Sequence, residues 1–442
     1  MKILLINPPS PFLIDQFAFP PLGILYLAAS LEKAGYDPEV VDASGHENEI
    51  ENLLAEHTNV DLCGITSTTP QYPYAQKIKD AIKEKNPKCV VVAGGSHPSS
   101  VREKCIKDGF DSVVVGEGEN ALVEIARKIE AGGQIEKISK CEYIKNLDNI
   151  PFPDRKKIDI RRYGYDVAGG KATTIITSRG CPYACAFCSK DVWGGPVRFR
   201  SVDNVVEEIK IIMDDFGFDR LLFLDDIINL SNSRLTELCK KIEPFGLKWR
   251  CYIRANNVTK ELLHAMKAAG CVEVGIGVES GSQKILDNVN KKTTVEMNTK
   301  VVQMCKEVGI ICNVFLMIGL PGETRQTVEE TRKWFEKVRP QKFGYNIFAP
   351  YVGTPITQFP EMFDIKIHDM PDEKSWVKGR SGEYNAFVST SDLTPEEILR
   401  LHKENFKHFI NLTGWRKEWG QNNKQNNKQL DKTSEDKNKK NA

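Results

Sequence analysis

The stretch Thr177-Ser178-Arg179-Gly180-Cys181-Pro182-Tyr183-Ala184-Cys185-Ala186-Phe187-Cys188 decides how the rest of the chain is read. Its thiols keep the spacing Cys-x3-Cys-x2-Cys and follow directly on a predicted strand. Three thiolates on one short loop can each take one iron of a cubane, leaving the fourth iron open to a ligand. Gly180 and Pro182 suit a loop that turns tightly around such a group. Zinc normally wants four ligands, and no fourth Cys or His follows nearby. A disulfide would leave one thiol over, and buried structural thiols have no reason to keep this spacing in a loop. The nine other cysteines (Cys63, Cys89, Cys105, Cys141, Cys239, Cys251, Cys271, Cys305 and Cys312) are scattered, most of them in apolar strand or helix patterns where Cys acts as a small hydrophobe.

Downstream, short apolar runs alternate with amphipathic ones. Strands are expected at 173–178, 220–225, 248–253, 272–278, 312–318 and 342–348, and helices at about 203–216, 232–243, 259–269, 294–308 and 324–338. Six strands alternating with five helices suggest an open (βα)6 barrel with its active site at the C-terminal mouth of the strands. Upstream, strands at 2–6, 38–41, 61–66, 89–93 and 112–115 alternate with helices at about 22–34, 47–57, 73–85 and 119–131. Strands that are apolar on both faces predict a doubly wound parallel sheet that binds its ligand at the carboxyl strand ends. The unusual residues sit at those ends: Asn7-Pro8-Pro9, Thr66-Ser67, Gly94-Gly95-Ser96-His97-Pro98 and Gly116-Glu117-Gly118-Glu119.

The expected organisation is an α/β domain over 1–135, a linker over 136–170 with a basic patch at Arg155-Lys156-Lys157, the barrel over 171–350, a helical region over 351–420 and a disordered polar tail over 421–442. Thr394-Pro395-Glu396-Glu397 should cap a helix over 394–411. Trp376, Trp415 and Trp419 suit either an apolar pocket or packing of the last helix, and packing is the expectation. The net charge of +1 gives no field that would draw nucleic acid. No apolar run approaches the roughly 18 residues of a membrane span, so a cytoplasmic protein is the expectation.

The cysteine motif resembles that of the radical S-adenosylmethionine superfamily. The resemblance implies that Cys181, Cys185 and Cys188 hold a [4Fe–4S] cluster whose open iron binds S-adenosylmethionine. Reductive cleavage then yields a 5′-deoxyadenosyl radical, the electron coming from a donor such as flavodoxin or ferredoxin. By the same analogy Phe187 packs near the adenine, Asp225 and Asp226 face the methionine amine, Arg254 pairs with a carboxylate, and Glu279 and Ser280 lie at the ribose. Each has a plain structural alternative: a helix N-cap for the aspartates, and a solvated surface side chain for Arg254 and Glu279. Gly319-Leu320-Pro321-Gly322-Glu323-Thr324 resembles the family's turn near adenine, and reads equally well as a tight turn.

The whole arrangement over about 1–350 resembles the cobalamin-binding branch of that superfamily. Pro8, Pro9, Thr66, Ser67, Gly94, Gly95, His97, Gly116, Glu117, Gly118 and Glu119 are then the expected cobalamin contacts, and Pro20-Pro21-Leu22-Gly23 matches as well. The Asp-x-His-x-x-Gly motif is absent, so cobalt has no lower histidine from the loop after the first strand. The implied activity is methylation of an unactivated carbon of a small-molecule, lipid or peptide substrate, with one S-adenosylmethionine supplying methyl and another the radical. A radical rearrangement or cyclisation without methyl transfer keeps both cofactors. A methylthiotransferase or a non-catalytic cobalamin sensor fits the cysteine distribution less well.

Overall fold

The computed structural model describes residues 1–13, 15–57, 59–140, 142–370 and 384–414. Trp376, Trp415, Trp419, Cys141 and the tail over 421–442 lie outside the described residues. Strands β1 (Ile3–Asn7), β2 (Pro38–Asp42), β3 (Leu62–Thr66), β4 (Val90–Gly94), β5 (Ser112–Val115) and β6 (Ile138–Lys140) form one parallel sheet in the order β2-β1-β3-β4-β5-β6. Ile3 to Ile6 are all buried because helices cover both faces of this sheet. The order reverses between β1 and β3, which opens a crevice at the carboxyl strand ends.

The second sheet runs β15-β14-β13-β12-β11-β8-β7. Its members are β7 (Tyr165–Val167), β8 (Gly170–Ile175), β11 (Arg220–Phe223), β12 (Lys248–Ile253), β13 (Cys271–Glu279), β14 (Ile311–Ile318) and β15 (Lys342–Ile347). Six are parallel and β7 returns antiparallel on β8, so the sheet is a half-barrel. Between β8 and β11 lies a two-stranded ribbon of β9 (Ser178–Arg179) and β10 (Arg198–Phe199), and β16 (Lys366–Ile367) pairs with β17 (Val388–Ser389). Helix Pro395–Thr413 starts at a capping box, Thr394 with Glu397; its Phe409 packs on Tyr345 of β15, 5.4 Å between ring centres, and on Phe335 of the helix Arg325–Val338, 3.9 Å away.

Two expectations change. The segment read as a linker contributes β6 and β7 to the two sheets, and residues 47–57 hold only the short helix Ile50–Leu53. The basic patch also divides. Arg155 is 2% exposed and pairs with Glu208 at 2.7 Å, while Arg200 binds the other carboxylate oxygen of Glu208. Arg155 further donates to the Thr174 carbonyl at 2.9 Å, tying the segment to β8. Removing the shared anion leaves two buried guanidinium groups without their counter-ion. Glu208→Ala is expected to destabilise the fold by about 3–5 kcal/mol, read as a fall in the urea midpoint at unchanged slope.

Candidate active site

β9 and β10 form the neck of the loop that carries all three thiols. Ser178 lies opposite Phe199 and Arg179 opposite Arg198. Gly180 takes φ +90°, and a Cβ there would lie 2.3 Å from the Pro196 carbonyl oxygen, so only glycine lets the two stems meet. At the end of β11, Asp225 (1% exposed) accepts from the Thr177 N–H at 3.1 Å, the Thr177 hydroxyl at 2.9 Å and the Ser178 hydroxyl at 2.5 Å. Burial raises its carboxyl pKa against these bonds. Asp225 therefore roots the loop: it lines the thiol cavity, and its carboxylate bonds Thr177 and Ser178 of the chain.

Cys181, Cys185 and Cys188 line one cavity of about 540 Å³ at the barrel mouth, together with Phe187, Asp226, Arg254, Glu279 and Lys291. Lys190 closes the loop by donating to the carbonyls of Cys181, at 2.9 Å, and Tyr183. Arg254 lies over the Tyr183 ring, 3.7 Å from its centre, and its Nη1 is 3.7 Å from the Cys185 sulfur. Its Nη2 is buried without a protein partner. A register shift between Gly277 and Glu279 leaves Glu279 at φ +64°, a strained setting that turns its carboxylate onto the Lys291 ammonium at 2.5 Å. Lys291 in turn lies 5.6 Å from the Phe187 ring centre. Ser280 differs from the expectation: its hydroxyl is 0% exposed and bonds Thr331 at 3.0 Å and the Ser282 N–H at 3.1 Å. Glu323, in the Gly-Leu-Pro-Gly turn, is buried with its carboxyl on the Gly319 N–H, and burial pushes its pKa up to about 8; it does not line the cavity.

Burial raises the Cys181 thiol, and burial with the neighbouring Cys185 and Asp226 pushes Cys188 up to about 11. Asp226 is likewise raised by burial and by Asp225. Three thiolates and a carboxylate at one mouth therefore call for a positive group among them. Among the described residues no three His, Cys, Asp or Glu converge as the shell of one metal ion. A cubane does not ask for that, since each thiolate goes to a separate iron. The donor set fits such a cluster.

A second, mostly apolar cavity of about 170 Å³ opens at the carboxyl ends of β3, β4 and β5. Thr66, Gly94, Gly95, Gly116, Glu117, Gly118 and Glu119 line it, with Gly23, Leu27 and Trp193. Nothing lies within 4 Å of a Cβ built on Gly23 or Gly94, so bare backbone keeps the space open. Val192 and Trp193 also line the larger cavity and form a wall common to both. This cradle fits a flat heterocyclic tail at the edge of a doubly wound sheet.

Four expected contacts are not on that wall. Pro8 and Pro9 are buried in the loop after β1, where the Pro8 carbonyl accepts from Gln71 at 2.9 Å. Ser67 turns inward and its hydroxyl has no partner. His97 lies 4.4 Å from Tyr72 between ring centres, with Nδ1 3.2 Å from the Thr69 hydroxyl. The two glutamates line the cavity but their carboxylates are spoken for. Glu117 binds Arg179 at 2.9 Å, Arg198 at 2.6 Å and the Ile144 N–H at 2.7 Å, and Glu119 binds Arg179 at 2.5 Å. Burial by itself would lower the Arg179 pKa; Glu119 and Glu117 outweigh it and raise it. Sequence reading assigned no role to Arg179, Arg198, Lys190, Lys291 or Trp193, although the two arginines flank the loop at its stems.

A doubly wound domain whose strand ends face a half-barrel mouth bearing three thiols defines a class of two-cofactor α/β enzymes. Residues 175–335 match the family model of the radical SAM superfamily, and residues 16–126 that of the B12 binding domain. A relative from Pyrococcus horikoshii, called an uncharacterized methyltransferase, is 30% identical over 383 residues, covering 81% of this chain and 83% of its own length. The anaerobic magnesium-protoporphyrin IX monomethyl ester cyclase of Cereibacter sphaeroides is 28% identical over 371 residues, covering 77% of this chain and 60% of its own length. The solved structure of TsrM from Kitasatospora setae, a radical S-adenosylmethionine methyltransferase with cobalamin and a [4Fe–4S] cluster bound, matches with a TM-score of 0.73 at 19% identity, over 92% of this chain and 89% of that one. That last likeness shows the fold. The chain belongs to the radical S-adenosylmethionine superfamily, in its branch with an N-terminal B12-binding domain. It is a radical S-adenosylmethionine enzyme, and the two matched domains bring the [4Fe–4S] cluster, S-adenosylmethionine and cobalamin as its cofactors.

His97 yields a test of the cradle's supporting layer. Burial, then the Lys104 charge, lowers its pKa from 6.5 to about 4, with Asp108 opposing. The unfolded chain therefore binds the extra proton first, and stability present above pH 6.5 is lost as pH falls towards 4. The loss should amount to roughly 2–4 kcal/mol. In His97→Asn the denaturation midpoint is expected to vary far less between pH 6.5 and 4 than in the wild type.

Proposed function

We propose that the protein methylates an unactivated carbon of a small-molecule substrate, using both cavities in one reaction. The observation that carries this reading is the shared wall: Val192 and Trp193 border the thiol-lined cavity and the strand-end cradle alike. A methyl donor and a radical generator must act on the same carbon, and two cavities with a wall in common support that reading.

In this reading the thiolates of Cys181, Cys185 and Cys188 hold the cluster, and Lys190 and Arg254 keep their loop in shape. Asp226, which has no hydrogen-bond partner among the described residues, attracts the methionine ammonium of S-adenosylmethionine. Phe187 and the Glu279–Lys291 pair border the adenosine, as ring face and hydrogen-bonding groups. The strand-end cradle lined by Thr66, Gly94, Gly95, Gly116 and Gly118 would hold the nucleotide tail of cobalamin. When bound, the cluster supplies the electron that breaks the sulfonium carbon–sulfur bond, and cobalamin carries the methyl group. The balance is one substrate C–H bond broken and one C–CH3 bond made. Two S-adenosylmethionine molecules and two electrons are consumed, the electrons coming from a donor of the flavodoxin or ferredoxin class.

Anaerobically reconstituted protein is expected to form 5′-deoxyadenosine under reducing conditions, and replacing all three cysteines with alanine should lower that yield by at least about 10³-fold. With methyl-labelled S-adenosylmethionine, label in the product supports methylation. Unlabelled product with 5′-deoxyadenosine release supports the cyclisation that the relationship to the magnesium-protoporphyrin cyclase suggests. Gly94→Val puts two methyl groups into the cradle, which has open space at that position. It should weaken hydroxocobalamin binding by more than about tenfold in a spectroscopic titration while iron content stays at the wild-type level.

A further inference from the structure

Arg179 and Arg198 are directly opposed in the antiparallel neck of the cysteine loop. Like charges at opposed positions push a two-stranded ribbon apart. Nothing on the loop itself neutralises them: their carboxylate partners are Glu117 and Glu119, on the turn after β5 of the N-terminal domain. All four side chains are nine-tenths or more buried. Glu117 spans both arginines, so a single carboxylate from one domain holds together the two stems of a loop in the other. The Arg198 guanidinium also donates to the Ile144 and Trp193 carbonyls, at 3.0 and 3.2 Å. A further tie runs from the Ser100 hydroxyl to the Asp191 carboxylate at 2.5 Å.

Three of the four clamp residues, Glu117, Glu119 and Arg179, also line the strand-end cradle. A ligand seated there presses on the same side chains that keep the neck shut. We propose that this clamp couples the two cofactor sites: occupation of the cradle by cobalamin tightens the neck and slows loss of the cluster from the cysteine loop. Linkage makes the effect mutual, so the cluster-loaded protein binds cobalamin more tightly than the cluster-free protein by the same factor. Arg179, Arg198, Glu117 and Glu119 are positioning residues here, since none touches the reacting atoms. The inference rests on the cofactor assignment made above.

The test is release of cluster iron from the reconstituted full-length protein to a colorimetric chelator, with and without saturating hydroxocobalamin. In the wild type, cobalamin is expected to slow release about tenfold; an unchanged rate overturns the coupling. In Glu119→Gln, with the corrinoid spectrum showing full occupancy, the protection should fall below about threefold. A purely structural role would speed release with and without cobalamin alike and leave their ratio at the wild-type value, which also overturns the proposal. If Glu119→Gln folds poorly or cannot be saturated with corrinoid, Arg198→Lys takes its place under the same thresholds, because it keeps the charge but cannot span Glu117 and two carbonyls. Protein that binds no corrinoid or no iron in the wild type fails the cofactor assignment instead, so the two failures are told apart.

Discussion

The buried carboxylate of Glu117, shared between Arg179 and Arg198, is the contact on which the assembled site depends. Two unit charges a few ångström apart repel by about 3 kcal/mol at an effective dielectric near 20. A ribbon of two paired residues per strand offers little to set against that. With Glu117 and Glu119 in place the four charges sum to zero, and the neck becomes a closed base for the cysteine loop. Backbone freedom at the stems would spread the three thiols that line one cavity.

The same contact lies between the two sheets, beside the Ser100–Asp191 tie. Both present their carboxyl strand ends to the interface, where parallel sheets place their loops and bind ligands. The loop crossing that interface, residues 180–197, carries the thiols in its first half and Trp193 in its second. Because Trp193 and Val192 wall both cavities, one segment separates the sites and sets their spacing. Arg254 adds a tie from the barrel side, against Tyr183 and Cys185. The loop is thus held from the B12 domain at its neck and from the residue that follows β12 at its centre.

Strands apolar on both faces were legible because burial on both sides leaves a continuous run such as Ile3-Leu4-Leu5-Ile6, and the thiol spacing was legible because it is local. What escaped is non-local or weakly patterned. Glu117 and Glu119 read as ligand contacts from their strand-end position, while their partner Arg179 lies about 60 residues further on and only the fold brings them together. Asp225 and Ser280 have the right residue types at the right strand ends, yet their oxygens bond the chain. Arg155 read only as part of a basic patch with Lys156 and Lys157 in a linker, although Glu208 draws it inside. Ile138-Ser139-Lys140 is too short and polar to register as a strand; it pairs with β5 at the edge of the sheet.

The barrel interior shows why the thiol-lined cavity ends where it does. Side chains alternate along a strand, so Arg250 and Tyr252 of β12 share a face, as do Glu273, Gly275 and Gly277 of β13, and Arg254 follows β12 directly. Lower down, Glu273 binds Lys342 at 2.6 Å, Asn313 at 3.2 Å and Arg250 at 3.3 Å, a buried charged layer that closes the barrel. Above it, Tyr252 and Gly275 border the cavity; a Cβ on Gly275 would lie 2.8 Å from Tyr252 and 2.9 Å from Phe315. One step up, a Cβ on Gly277 would lie 2.3 Å from the Glu279 carboxylate and 2.9 Å from the Lys291 ammonium. Glycine at these two positions makes room for the aromatic floor and the ion pair. The charged layer thus closes the pocket from below, and the three thiols line it from the loop side.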